Sequence, residues 1–303
     1  MRGRPRCSII IATFNRHDIL GATLASVLKQ DYEQYELIVI DQSTLSYAGV
    51  HRFAADSAVP FQYLHRPVPN LPKARNTGIE MAEGDIVIFI DDDVLLDANY
   101  IAHHARHYLD PTVGGVTGLV LSLDAANADP IAQAKTHRCL RRPTLDQPVD
   151  VRWLSGCSMS YRKTALLDVG GFDIAYTGSS WCEDVDVSVR VSQRGLRLLF
   201  DPHIRLVHLA APRGGCQNRA VTKASNTARE HADLTLYFVV KNSSRIGIAW
   251  KLHTLWNIYR QYALNRQVAK LGFRELARRS LYLAKTAARL VRRYALVDSS
   301  ARL

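Results

Sequence analysis

No run of eighteen or more apolar residues occurs in the chain, so no membrane-spanning helix is expected. Cysteine is scarce: Cys7, Cys139, Cys157, Cys182 and Cys216 are odd in number, scattered and never spaced Cys-x-x-Cys. That argues against a zinc site and a disulfide framework, and the thiols read as reduced and mostly packed. Glycine-rich phosphate loops are also missing. The basic start, Met1 to Arg6, runs directly into a strand pattern without a signal-peptide hydrophobic region, so a cytoplasmic location is expected. Acidic residues nearly vanish from the last part of the chain. From Gln217 onward, 17 Lys and Arg stand against 4 Asp and Glu, a net +13. The whole chain carries +11, which leaves −2 for the first 216 residues. A near-neutral body with a strongly basic tail points to an anionic surface, either nucleic acid or the cytoplasmic face of a membrane. The 303 residues suffice for one large domain or two small ones with a sizeable core.

What is present is organised around Ile86-Val-Ile-Phe-Ile90 followed by Asp91-Asp92-Asp93. The apolar run is short and rich in β-branched residues, which predicts a buried strand of a largely parallel sheet. The three carboxylates then lie at the strand's carboxyl end, where open α/β sheets bind ligands. Adjacent carboxylates repel, so a positive group is needed; a hard divalent cation with phosphate oxygens is the usual answer. A solvated acidic turn is the plainer alternative.

Ser8–Ala12 and Leu37–Asp41 repeat the buried-strand pattern, and Phe61–Leu64 is a shorter strand. Asp18 is positioned to cap a helix carrying Ile19, Leu20, Leu24, Val27 and Leu28; a further helix is expected over His51–Asp56. Pro72 opens a helix over Lys73–Ala82, ended by Gly84. This β-α-β-α-β-α-β order predicts a doubly wound sheet. Further helices are expected at Asn99–Tyr108, Lys163–Val169 and Glu183–Arg194, and near Ile131–Arg138 within a polar insertion over 124–150. Val116–Leu123, Leu196–Asp201 and Ile204–Leu209 read as strands, and Trp153–Tyr161 as a strand edge.

Four features fall at strand ends or loops that this topology brings together: Thr13-Phe-Asn-Arg16, Asp41, Lys73-Ala-Arg-Asn-Thr-Gly78 and Asp91-Asp92-Asp93. Each is weak singly. As an ordered set, with Gly170-Gly-Phe-Asp173 and Trp181-Cys-Glu-Asp-Val-Asp186, they resemble an inverting glycosyltransferase of family 2 over residues 7 to about 210. The family often has proline where Ala12 stands.

The resemblance implies an α/β GT-A fold, a Rossmann-like mixed sheet flanked by helices, with a C-terminal helical extension. It implies a catalytic domain over 1–216, with a nucleotide-binding half to about 123 and an acceptor half over 151–216, and a basic helical region over 217–303. The partners it implies are a nucleotide-diphospho-sugar donor, a glycan or lipid-linked hydroxyl acceptor, and Mn2+ or Mg2+. Asp41 would accept a hydrogen bond from the base, with Thr13, Asn15, Arg16 and Asn76 lining the donor pocket. Arg75 would reach the base or the diphosphate. Asp91 or Asp92 would hold the ribose, and Asp93, with His208, the metal. Asp184 would be the general base. Glu183 would orient the acceptor or the base, and Asp186 would be structural. Trp181 would stack on the acceptor sugar or plug the core beneath its loop.

In the tail, Phe273, Leu276, Ala277, Ser280, Leu283, Ala284, Ala287, Leu290, Val291 and Tyr294 fall on one helical face. Arg278, Lys285, Arg289, Arg292 and Arg293 fall largely elsewhere, which predicts a basic amphipathic helix docked on an anionic membrane or on the catalytic domain. Two other functions compete. A sugar-phosphate nucleotidyltransferase needs a glycine-rich basic loop after the first strand, which Thr13-Phe-Asn-Arg16 is not. A non-catalytic nucleic-acid binder needs base-stacking aromatics interleaved with the basic residues, and the tail does not show the pattern of any known module.

Overall fold

A computed structural model describes residues 4–122, 146–211, 214–215 and 224–300. The helix expected near Ile131–Arg138, and Cys139 and Cys216, lie outside the described residues; Cys7, Cys157 and Cys182 are free thiols. Two compact units are present, one of Met1–Thr177 with Glu183–Asn218, the other of Gly178–Cys182 with Arg219–Leu303.

In the first unit β1 (Cys7–Thr13), β2 (Tyr35–Asp41), β3 (Phe61–His65) and β4 (Ile86–Ile90) are parallel. The sheet continues through β5 (Val94–Leu96), β6 (Val113–Ser122), β8 (Ser158–Arg162) and β9 (Arg197–His208) in the order β3-β2-β1-β4-β8-β6-β9-β5. A short β7 (Val149–Asp150) pairs with β9. The strand order reverses at β1, between β2 and β4, and the carboxyl ends there carry Thr13, Asp41 and Asp91–Asp93.

Strand alternation divides the core. Ile9, Ile11, Leu37, Val39, Ile86, Ile88 and Ile90 pack against α1 (His17–Val27) and α4 (Tyr100–His107). Ile10, Ile38, Ile40, Val87 and Phe89 pack on the other face against α3 (Leu71–Met81), α5 (Lys163–Asp168) and α6 (Glu183–Ser192). Full burial of each large apolar side chain contributes about 1.5–3 kcal/mol. The small helix α2 (Val50–Ala55) lies between β2 and β3 in sequence. Asn70 caps α3 through the Lys73 amide, and Pro72 sits in its first turn. A Cβ on Gly78 would meet Ile10 Cγ2 at 2.5 Å, so only glycine lets α3 lie this close to β1. That closeness sets the depth of Arg75, about one turn earlier, and of Asn76 beside it.

Three expectations are corrected. Asp18 does not cap α1; it lies in the first turn, and Arg16 occupies the cap position, its side chain directed to other partners than the helix amides. The expected edge strand is β8, in the interior between β4 and β6. Its serines suggest exposure, yet Ser158 and Ser160 are buried because Tyr100, His104 and Tyr108 satisfy their hydroxyls at 2.7–2.9 Å. The two strands expected around Pro202 are one strand, β9. Pro202 falls in an irregularity where β6 partners jump from Asp201 to Arg205, beside Gly118, where a Cβ would meet Ile204 at 2.3 Å.

The second unit contains α7 (Ala224–Lys241), α8 (Ile248–Tyr262), α9 (Arg266–Leu271) and α10 (Phe273–Ser300). Its core is Ala232, Leu236, Ile258, Tyr262 and Leu283, with Ala287 and Leu290 packed against it. No described helix is long and apolar enough to cross a membrane.

Candidate active site

β4 ends at Ile90, and its three aspartates diverge. Asp92 turns inward, accepting from Thr13 Oγ1 at 2.7 Å and Arg16 Nη1 at 2.9 Å. Thr23 Oγ1 donates to the Asp92 carbonyl at 2.8 Å, fixing the turn. Burial pushes the Asp92 carboxyl up to about 6 against the pull of Arg16 and Thr13. Asp93 Oδ2 accepts from the Ala211 amide at 2.9 Å and lies 3.1 Å from Arg16 Nη1. Asp93 Oδ1 is buried without a hydrogen-bond partner among the described residues. Asp91 faces outward, 3.9 Å from Arg75.

His208, at the end of β9, sets Nε2 at 3.5 Å from both Asp91 Oδ2 and Asp93 Oδ1. Its pKa is raised, first by Asp91 and against burial. Burial would raise the Asp91 pKa, but His208 and Arg75 outweigh it and hold the carboxyl low. One ligand atom each from Asp91, Asp93 and His208 lie within 4.8 Å of one another. Two carboxylates, an imidazole and one unsatisfied buried oxygen suit a hard divalent cation. His208 Nδ1 accepts from the Ala210 amide at 3.0 Å, which holds the ring with Nε2 turned towards Asp91 and Asp93.

Thr13 and Arg16 are therefore spent on aspartates. Asn15, at φ 54, ties the loops after β1 and β2: its amide donates to Ser43 Oγ at 2.7 Å and its Oδ1 accepts from the Thr44 amide at 3.1 Å. Asparagine tolerates that left-handed backbone. Asp41 is buried, accepting from the Ser43 amide at 2.8 Å and Tyr63 Oη at 2.6 Å, with His17 Nε2 at 2.8 Å. Burial raises its pKa, but these bonds prevail and hold it below its ordinary value. Sequence reasoning missed His17 and Tyr63. His17 directly follows the Thr13–Arg16 loop; Tyr63 is brought by strand pairing alone.

A second acidic cluster opens α6. Glu183 is buried and pairs with Arg75 Nη1, while its Oε2 has no hydrogen-bond partner among the described residues. Burial pushes its carboxyl up to about 7, opposed by Arg75 and reinforced by Asp184. Asp184 Oδ1 accepts from its neighbour Val185's amide at 2.8 Å, and Oδ2 from the Gly156 amide at 3.0 Å. Its pKa is raised by burial against Arg75 and these amides. Arg75 Nη2 donates to the Gly156 carbonyl at 2.9 Å, so one guanidinium orders both the pair and the Gly156 turn. That turn carries no sequence signal beyond its glycine. Five carboxylates, Asp91, Asp92, Asp93, Glu183 and Asp184, thus share Arg16, Arg75 and His208 as close cationic side chains among the described residues.

Asn76 holds the Phe172 amide and carbonyl, at 2.7 and 2.8 Å. Asp186 is buried against Arg190 at 2.8 Å. Trp181 belongs to the second unit, stacked on His231 at 4.3 Å with Nε1 donating to Thr235. Direct contacts and the shared Gly156 turn link Thr13, Arg16, Arg75, Asp91, Asp92, Asp93, Glu183, Asp184 and His208, while Asn15 and Asp41 lie in the adjoining loops and Asn76 is bonded to Phe172.

Residues 8–169 match the model of glycosyl transferase family 2. The pre-mycofactocin glycosyltransferase of Mycobacterium tuberculosis is 31% identical over 153 residues, 48% of this chain, and the chain spans 32% of that relative's length. The glucosyl-dolichyl phosphate glucuronosyltransferase of Haloferax volcanii is 26% identical over 216 residues, 67% of this chain and 69% of that protein. Among solved structures, the mannosyltransferase PcManGT from Pyrobaculum calidifontis, in complex with GDP-Man and Mn2+, superposes with a TM-score of 0.60 at 19% identity, covering 96% of this chain and 88% of that one. The fold is the GT-A type, and the chain belongs to glycosyl transferase family 2.

Proposed function

We propose that the protein moves a sugar from a nucleotide-diphospho-sugar to a hydroxyl of a glycan or lipid-linked acceptor, with inversion at the anomeric carbon. The observation that carries this reading is a cation-type group, Asp91, Asp93 and His208, joined through Arg75 to a pair of carboxyls with raised pKa, Glu183 and Asp184.

Asp91, Asp93 and His208 would hold Mn2+ or Mg2+, which supplies Lewis-acid stabilisation for the nucleoside diphosphate leaving group. The base is received beside Asp41, His17 and Tyr63, whose mutual bonds fix that wall before the donor arrives. Asn15 holds the adjoining loop, and Asn76 the Phe172 segment. Arg16 and Thr13 hold Asp92, so the turn keeps its shape as charge builds.

Asp184 accepts the acceptor hydroxyl's proton while that oxygen bonds to the anomeric carbon; the bond from carbon to the diphosphate oxygen breaks, and its electron pair leaves with the nucleotide. A raised pKa suits this, because a base must hold a proton firmly enough to take it. Glu183, fixed by Arg75, orients the acceptor. One displacement from the face opposite the leaving group gives inversion. Surface polysaccharide or glycoconjugate assembly at the inner face of a bacterial membrane is the setting we favour, with the C-terminal helices on anionic lipid and no nucleic-acid partner. Donor-dependent release of nucleoside diphosphate from a panel of UDP-, GDP- and dTDP-sugars, with Mn2+ or Mg2+, tests the reaction. NMR of the product tests the configuration, and a retained anomer rules the mechanism out.

A further inference from the structure

The C-terminal stripe expected to meet a membrane is partly consumed inside its own unit, because Leu283, Ala287 and Leu290 of α10 join the helical core. A different apolar face is left open. Ile248, Leu252, Leu255 and Trp256 recur at one helical face of α8 and are 68%, 60%, 38% and 56% exposed. At the α9–α10 joint, Leu271 and Phe273 are 64% and 81% exposed. Large apolar side chains grouped this way mark an interaction surface.

The charge around them decides the partner. Between Asp233 and Glu275 there is no acidic residue, while residues 234–274 carry 7 Lys and Arg. Arg260, Lys270 and Arg274 are exposed among them. A second copy of the same face would set cations against cations. An anionic bilayer answers both features: headgroup phosphates meet the cations, and the acyl boundary receives the apolar side chains. Tryptophan is at home at that depth.

We infer that the exposed face of α8, with the α9–α10 joint, is a docking surface for an anionic lipid bilayer, lying on the membrane rather than crossing it. This rests on the membrane part of the function proposed above and is independent of the transfer chemistry.

Flotation of the full chain with phosphatidylcholine vesicles, with and without phosphatidylserine, tests it. The wild-type protein should bind the anionic vesicles, more weakly as salt rises. Leu252→Ser with Trp256→Ser should lower the partition coefficient at least about tenfold with the melting temperature unchanged, since both side chains already face solvent. Brominated lipids should quench wild-type tryptophan fluorescence, and Trp256→Phe should lose most of that quenching. Arg260→Glu with Arg274→Glu should weaken binding to anionic vesicles only. Equal binding by wild type and the Leu252→Ser, Trp256→Ser protein overturns the surface and leaves membrane binding by another face. No binding of wild type to anionic vesicles overturns both; transfer to a soluble acceptor analogue would then still stand. A wild-type dimer that the serine variant converts to monomer assigns the face to a second copy instead.

Discussion

Asp91 and Asp184 both lie within the field of the Arg75 guanidinium, yet their surroundings push them in opposite directions. Asp91 keeps its charge because His208 adds to Arg75 and together they outweigh burial. Asp184 has only Arg75 and a few backbone amides against burial, and its pKa rises. Glu183 beside it reaches about 7. The difference teaches that one fold can hold one buried carboxyl low and its neighbour high by placing different cations and hydrogen bonds around them.

The comparison breaks most visibly at Asp184. Asp184→Asn keeps the shape and the Gly156 contact but cannot take a proton. Turnover should fall by at least about 10²–10⁴-fold, with nucleotide and metal affinity near wild type in calorimetry. Near-normal turnover would remove Asp184 from the role of base. Asp93→Ala attacks the other cluster. Mn2+-dependent binding of nucleoside diphosphate should weaken by about 10–100-fold, and unchanged affinity with Mn2+ in titration calorimetry would refute the cation assignment.

The two buried arginines sharpen the contrast. Removing Arg16 strands Asp92 and Asp93, and removing Arg75 strands Glu183; each should cost about 3–5 kcal/mol in denaturant unfolding. Mn2+ should restore much of the loss in Arg16→Ala, where a cation replaces a cation, and little in Arg75→Ala. Equal rescue of both, or of neither, would show that the clusters do not differ in this way.

The raised carboxyls also set a pH dependence. Burial raises Asp184 and brings Glu183 to about 7, so kcat/KM should rise about tenfold per pH unit on an acid limb displaced above the ordinary carboxylate range. The stability sign is opposite. A carboxyl whose folded pKa lies above its ordinary 4.5 favours folding below that value and loses this contribution as pH rises through about 7. Melting temperature should therefore slope downward across that window, and less so in Glu183→Gln. An acid limb confined below pH 4 would contradict both. The smallest effect is expected at Gly156→Ala. The added Cβ would lie 3.3 Å from Asp184 Oδ2, which must give by a few tenths of an ångström, and 3.4 Å from Arg75 Nη2, at the edge of ordinary contact. Turnover should drop by less than about tenfold in steady-state kinetics, with folding intact.

The sequence alone determined the parallel strands β1, β2 and β4, because four or five consecutive apolar residues in a strand can be satisfied only by burial on both faces. It also placed the carboxylates at strand ends and the pair at the start of α6, since strand length and helix caps are local properties. Tertiary structure decided the rest. Which aspartate meets Arg16 and which meets His208 depends on a turn tied down by Thr23, 69 residues away in sequence. Ser158 and Ser160 could enter the core only once Tyr100, His104 and Tyr108 were there to bond them. The α10 stripe and the α8 face both carry apolar side chains at helical spacing, and the packing within the unit determines that Leu283 is buried while Leu252 and Trp256 stay open. Long-range hydrogen bonds and helix packing join residues that no local pattern relates, so these choices exist only in the folded chain.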